Sequence, residues 1–399
     1  MKYDKYFTII IIISSLSGIF IGILSNNMIN PNKIENQTKN KKKDNTEQKE
    51  KKEETLIKEK KEVTFTKEEK KEDKKEEKKE INKEENEEVK DENKDNKIIE
   101  IQTQVNFREN KTIIAVSYAT DNRYIYPTIV SITSLAYNAA NNSFYDIYIL
   151  HTPDFTESSK NFLKSVEKKY PERCAIIYIN MENKYRGLGL NYRITTPTYY
   201  RLSLQDLLPN VKRIIYLDGD TLILEDLQEL INLNMKGSVV MGFLDIIPDA
   251  ISNFGFKQPT VVCGGTLLMD LEGLRKYGYS KKIEEFISKN RDKLKQQDQT
   301  VLNVVVQDRL KPIPPKYGIW AWVTDAEAKE HLDKQWPHLK YNEGEFFYAL
   351  NHPAIIHYTW PKPFWKGKKT RYQKEWWDYA KLTGYYNEIC AKIPSYRNL

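Results

Sequence analysis

Between Lys111 and Asp218, short runs rich in β-branched and aromatic residues alternate with stretches of helical period. No other feature of the chain restricts its fold as strongly. The runs "KTIIAVSY" (111–118), "FYDIYIL" (144–150), "CAIIYIN" (174–180) and "RIIYLD" (213–218) read as strands. Between them, "PTIVSITSLAYNA" (127–139) reads as a helix opened by Pro127, and helical patterns follow near 156–169 and in "TPTYYRLSLQDLLP" (196–209). Strands separated by helices need crossover connections, so the pattern predicts an α/β fold with a doubly wound, mostly parallel central sheet. Such sheets bind ligands beyond the carboxyl ends of their strands. "RIIYLDGDTLIL" (213–224) sets Asp218 and Asp220 at one such end.

The folded part is shorter than the 399-residue chain. Residues 33–97 hold 22 Lys and 22 Asp or Glu, with no apolar periodicity that could bury a core, and read as a solvated spacer. Ahead of it, "YFTIIIIISSLSGIFIGIL" (6–24) is an uncharged apolar run close to the length that crosses a bilayer. No small-x-small cleavage site follows it, so it reads as a membrane anchor and not as a cleaved signal. The expected organisation is an anchor at 1–28, a charged spacer at 29–108 and a globular domain at 109–399. Lysines on both sides of the run leave the side of the membrane that holds the domain open. Of the net charge of +7, six belong to the residues after the spacer. That mild excess comes with no zinc-finger, helix-turn-helix or RNA-recognition pattern, so no nucleic-acid partner is expected. Cys174, Cys263 and Cys390 are too widely spaced for a disulfide scaffold or a cysteine zinc site.

An Asp-Gly-Asp after a strand has several meanings. It can be a polar turn. It can begin a haloacid-dehalogenase type phosphatase motif, but D-x-D-x-T places its threonine one residue later than Thr221, and the chain lacks an adjacent Asp pair for the late acidic motif. It can begin an EF-hand, but Leu222 and Ile223 stand where a ligand and a glycine are needed. Or it can be a metal clamp for a nucleotide diphosphate, with Gly219 letting the chain turn and a pyrophosphate approach.

Four ordered motifs resemble the retaining glycosyltransferases of family eight, over about residues 111–366. "YATDNRY" (118–124) is similar to the family's uridine-binding segment, which implies nucleotide contacts from Ala119, Thr120, Asp121 and Tyr124. "ITTPTYYRLSLQDLLPNVKRIIYLDGD" (194–220) resembles the helix-plus-DxD block and implies that Arg201 meets the donor. "QQDQTVLN" (296–303) resembles the segment whose Asp-Gln pair lies beside the donor sugar, here Asp298 and Gln299. "IIHYTWPKPFW" (355–365) resembles the late His…Lys-Pro-Trp motif, which implies His357 on the metal and Lys362 on the pyrophosphate. The resemblance implies a GT-A type Rossmann-like nucleotide-diphospho-sugar transferase domain. It also implies a UDP-glucose or UDP-galactose donor and a glycan or glycolipid acceptor.

The chemistry of these residue types is compatible. Breaking a sugar–UDP bond leaves negative charge on the β-phosphate, which calls for a cation and fixed donors there. Asp218, Asp220 and a neutral His357 suit Mn²⁺, with Mg²⁺ as the alternative, while Lys362 and Arg201 offer charge-assisted hydrogen bonds. Each has a plainer role: a core histidine for His357, a surface position for Arg201, a helix cap for Asp298. Gln299 is a weak nucleophile, so front-face substitution is expected, its amide supporting the developing sugar cation. The sequence departs from the family at "CGGTLLMD", where Cys263 and Gly264 replace the usual Asn-Ala; at Arg123, which replaces a common Asn; and in the spacing of "PKPFW". These departures bear on the sugar, and the first favours the rival reading of a non-catalytic sugar-nucleotide or glycan-binding protein. The tail at 361–382 mixes lysines with Trp and Tyr, and reads either as a membrane-surface segment or as a helix packing its aromatics on the domain.

Overall fold

Strand and helix alternate as the sequence implies. In the computed structural model, which describes residues 107–188, 196–245, 254, 261–294, 297–334, 341–359 and 370–392, strands β1 (Thr112–Thr120), β2 (Ser143–His151), β3 (Cys174–Asn180) and β4 (Arg213–Leu217) run parallel. Register sets where they stop. Thr120 pairs with His151 and His151 with Asn180, so three strands end on one line, and Leu217 ends opposite Tyr118. The carboxyl edge of the sheet is thereby level.

Two helices make the first crossovers. Helix α1 (Ile125–Tyr137) begins two residues before Pro127, which falls in the first turn, where its missing N–H removes no helical bond. Helix α2 (Glu157–Lys169) is capped by Thr156, whose hydroxyl accepts from the Ser159 N–H, and carries Lys168 and Lys169 at its carbonyl end. The helix expected over 196–209 is a 3-10 segment, Thr196–Ser203, followed by one α-helical turn, Leu204–Leu207. The segment buries Tyr199, Tyr200, Arg201, Leu202 and Ser203 in succession, leaving no polar face. Packing on all sides, and not amphipathic period, decides its form.

After β4 the chain leaves the parallel pattern. Strand β5 (Thr221–Ile223) departs at once into a second sheet. Strands β6 (Val240–Leu244), β7 (Val262–Asp270) and β8 (Leu310–Pro312) complete a seven-stranded first sheet in the order β3-β2-β1-β4-β7-β6-β8. Only β7 is reversed, antiparallel to both β4 and β6. The central sheet is therefore mostly parallel. Strands β9 (Ile319–Trp320) and β10 (Ile355–His357) join β5 in a three-stranded sheet of order β5-β10-β9. On its other side β5 is met by α1 side chains: the Ile223 N–H donates to Ser134 Oγ at 2.9 Å, and Asn138 Nδ2 donates to the Ile223 carbonyl at 2.9 Å. Helix side chains thus satisfy part of a strand edge that would otherwise be open.

Both faces of the main sheet are buried. Along β4, Ile215 and Leu217 enter the core layer that contains α1, while Ile214 and Tyr216 enter the opposite layer with Tyr199, Tyr200, Leu267 and Val301. This two-sided burial is why "RIIYL" is apolar throughout instead of alternating. Helix α3 (Gln297–Val305) packs against β7, and helix α4 (Gln373–Leu382) against α1. Trp376 and Trp377 of α4 are 1% and 5% exposed. For these two residues the membrane-surface reading of the tail gives way to core packing, because their rings complete the layer over α1.

The chain divides into two units, Met1–Lys90 and Asp91–Leu399, and all described residues belong to the second. Apart from Phe107 and Arg108, the expected anchor and spacer lie outside the described residues, among which no helix is long and apolar enough to cross a membrane.

Candidate functional site

The Asp-Gly-Asp turn connects the two sheets. The Asp218 N–H donates to the Gly265 carbonyl at 2.9 Å, which ties the turn to β7, and the Thr221 N–H donates back to the Asp218 carbonyl at 3.1 Å, which closes it. Gly219 sits so near Thr128 and Tyr124 that a Cβ there would strike the Thr128 hydroxyl. A close approach to α1, and not a special φ, requires glycine here.

Strand pairing delivers His357. In the antiparallel pair β5–β10, His357 is the register partner of Thr221, so the residue beside Asp220 lies opposite the histidine. The Tyr358 N–H then donates to the Asp220 carbonyl at 2.9 Å. His357 Nε2 lies 3.6 Å from Asp218 Oδ2 and 3.3 Å from Asp220 Oδ1. The three ligand atoms fall within 4.8 Å of one another. Two oxygens and an imidazole nitrogen are a donor set for Mn²⁺ or Mg²⁺. Bonds of about 2.1 Å at right angles need ligands about 3 Å apart, close to the histidine-to-carboxylate separations of 3.6 and 3.3 Å. The residues fit a divalent cation. Gly265 makes room for the imidazole, because a Cβ at that position would overlap the ring.

Charge at the clamp is balanced in the cation-free protein. Burial alone would depress the His357 pKa, but the Cys263 sulfur and Asp220 override it and push it up to about 10. Without a cation a protonated ring is favoured against the two carboxylates; as a ligand the ring is neutral, so a cation has to displace that proton. Tyr124 donates to Asp220 Oδ2 at 2.8 Å and Tyr216 to Asp218 Oδ1 at 3.0 Å. Both phenols are held well above their ordinary pKa, first by burial and then by the neighbouring carboxylates, which at Tyr216 the Arg201 charge opposes, so they act as donors.

Arg201 lies behind the clamp and is 3% exposed. Its Nη2 is 3.1 Å from Asp218 Oδ1 and its Nε 2.9 Å from Asp298 Oδ2; Nε donates to the Thr198 carbonyl and Nη1 to the Gly264 carbonyl. The guanidinium stacks over Tyr216 at 4.3 Å. It is not the surface residue of the plainer reading. Asp298 is 4% exposed in the first turn of α3; burial, only partly offset by Arg201, raises its carboxyl to about 6.

Gln299 is clamped at both ends of its amide. Oε1 accepts the Gly264 N–H at 3.0 Å, and Nε2 donates to Asp245 Oδ2 at 2.6 Å. Asp245 follows β6 directly and was missed by the sequence reading. Its only local signal was an Asp at the end of an apolar run. The small residues of "CGGT" have a steric cause: a Cβ at Gly264 would press on Arg201, as one at Gly265 would on His357. The departure from Asn-Ala thus leaves the site assembled.

The expected nucleotide segment lies on the same edge. Asp121 is 8% exposed, and its Oδ1 accepts the N–H groups of Arg123 (2.9 Å) and Tyr124 (3.1 Å), fixing the turn that leads into α1. Thr120, also buried, meets Thr128 Oγ1 at 3.1 Å, and Ala119 is half-buried on the opposite face. Lys362 lies outside the described residues. Strand ends thus bring together Asp121, Tyr124, Asp218, Asp220, Arg201, Asp298, Gln299 and His357 from five separate stretches of chain.

The family model described as glycosyl transferase family 8 matches residues 115–369. General stress protein A of Bacillus subtilis is 26% identical over 212 residues, covering 50% of this chain and 70% of that protein. Glycosyltransferase GlyF of Streptococcus pneumoniae is 23% identical over 275 residues, 67% of this chain and 61% of its own. In fold, the chain is similar to the galactosyltransferase LgtC, crystallised with donor and acceptor sugar analogues. The TM-score is 0.57 at 18% identity, over 68% of this chain and 95% of that one.

Proposed function

Because the chain belongs to glycosyl transferase family 8, we propose that it transfers a hexose, glucose or galactose, with retained configuration from a UDP-sugar to a glycan or glycolipid acceptor. The observation that carries this reading is the Asp218–Asp220–His357 triangle at the carboxyl edge of the sheet, beside a clamped Gln299.

Asp218, Asp220 and His357 would hold a divalent cation, Mn²⁺ or Mg²⁺, which when bound offsets the charge that develops on the leaving diphosphate. Tyr124 and Tyr216 keep the two carboxylates oriented through hydrogen bonds of 2.8 and 3.0 Å. Arg201 and Asp298 support Asp218 from behind and hold the 3-10 segment against α3. Asp121 and Tyr124 would meet the nucleoside, and Lys362, by its place in the late motif, the pyrophosphate. Gln299 Oε1, an amide oxygen with two lone pairs, accepts the Gly264 N–H. Turned toward the donor sugar, that oxygen would support positive charge at the anomeric carbon during front-face substitution. A carboxylate hydrogen-bonded to the amide nitrogen makes the oxygen more negative, so Asp245 strengthens that support.

The apolar run at 6–24 supports a location at a membrane, with the charged spacer holding the domain away from the surface. A glycolipid acceptor would then share that surface. The test incubates the full-length protein with Mn²⁺ and a panel of UDP-sugars and follows UDP release. Turnover of one hexose donor, lost in Asp220→Asn, is expected. A panel that is neither transferred nor hydrolysed, with nucleotide binding unchanged in Asp220→Asn, would return the protein to the non-catalytic binding class.

A further inference from the structure

The His357 ring divides its two nitrogens between different surroundings. Nε2 faces Asp218 and Asp220, whereas Nδ1 lies 3.7 Å from Cys263 Sγ, and both residues are buried. Among the described residues no other hydrogen-bond partner of Nδ1 is present. Cys263 and Gly265 lie two apart on β7 and so project to the same side of the strand. One supplies the sulfur at Nδ1, and the other, lacking a Cβ, leaves the space the ring occupies.

Resting on the metal-dependent reading above, we propose that Cys263 is a positioning residue for the cation site. Its sulfur accepts the Nδ1–H of His357 and so fixes the tautomer whose Nε2 lone pair points at Asp218 and Asp220. A metal-bound histidine carries its proton on the other nitrogen, and a buried N–H needs an acceptor. Carboxylates and carbonyls usually serve. Here a thiol does, at the position where the sequence departs from the asparagine of its family. Both side chains can accept a hydrogen bond, the thiol the more weakly. Nothing else about Cys263 suggests chemistry of its own: it is 7% exposed and has no second cysteine beside it.

The test titrates Mn²⁺ into the full-length protein without substrate and reads free Mn²⁺ by electron paramagnetic resonance. Cys263→Ala should weaken binding roughly tenfold or more, the range found for lost outer partners of a ligand histidine. Cys263→Asn, which restores an oxygen acceptor, should stay within about threefold of wild type. If Cys263→Ala binds Mn²⁺ as wild type does, the inference is wrong while the metal reading stands. If wild type itself takes up no Mn²⁺, both fall. A direct measurement covers the case in which the alanine variant does not fold: long-range ¹H–¹⁵N spectra of wild type loaded with Mg²⁺ should show His357 protonated at Nδ1. A proton on Nε2 would overturn the proposal.

Discussion

Replacing Arg201 by methionine keeps most of the side chain's bulk and removes its charge. In the folded protein that charge sits 3.1 Å from Asp218 and 2.9 Å from Asp298, with the Arg201 and Asp298 side chains only 4% and 6% exposed. Removing one partner of a buried ion pair costs about 3–5 kcal/mol, because the remaining charge is left desolvated. For a domain of this size that lowers Tm by roughly 5–15 °C. The loss should depend on pH. The Asp298 carboxyl already titrates at about 6 in the folded protein, above its ordinary value, first because it is buried. The folded state therefore binds more protons than the unfolded state between about pH 4 and 6, and the stability this adds is lost as pH rises through 6. Without Arg201 the carboxyl moves higher still. The deficit of the variant against wild type should consequently be larger at pH 8 than at pH 5. Thermal unfolding of the full-length protein at the two pH values reads both quantities, and Arg201→Lys, which can reach only one carboxylate, should fall between. A Tm within 2 °C of wild type at pH 8, or a deficit of equal size at both pH values, would refute the reasoning.

Further outcomes follow from the structure. Gly265→Ala sets a methyl group into the His357 ring and should weaken Mn²⁺ binding roughly tenfold or more in calorimetry; unchanged affinity would mean that the ring does not ligate. Mn²⁺ affinity should rise roughly tenfold per pH unit from 6.5 to 9, since the cation displaces a proton held at about 10. In the cation-free protein the stability due to that imidazolium is fully present below about 6.5 and disappears as pH passes through 10; a flat affinity profile would contradict both statements. Asp245→Ala releases one end of the Gln299 amide and should lower kcat between about ten- and a hundredfold with nucleotide affinity intact, so an unchanged kcat would remove Asp245 from the site. Trp376→Ala should cost about 3–5 kcal/mol in denaturant unfolding, as expected for a ring packed in the core; a loss below 1 kcal/mol would contradict its burial.

Much of the first half of the fold was legible because its information is local. Apolar runs of strand length, separated by helical period, require crossovers, and crossovers require a parallel sheet. The same logic put Asp218 and Asp220 at a strand end before any contact was known. Beyond β4 that logic failed, and for one reason. An apolar run records that a strand is buried and is silent about which strand lies beside it. Nothing in "VCGGTLLMD" states that β7 runs against its neighbours, and nothing in "TLI" states that β5 leaves the sheet. The 3-10 form of Thr196–Ser203 was hidden in the same way, since a segment buried on every side has no face for a periodicity to reveal.

The site divides along the same line. The sequence by itself determined the residue types: two carboxylates a glycine apart, a late histidine after an apolar run, an Asp-Gln pair opening a helix. Tertiary structure alone decided that they meet. His357 reaches Asp220 because β10 pairs with β5 in one register, and a one-residue slip would turn the ring to the other face of the small sheet. Asp245 reaches Gln299 because β6 ends on the same edge as β4. Contacts between residues 54 and about 140 positions apart belong to the pairing of strands, and no single stretch of chain carries them.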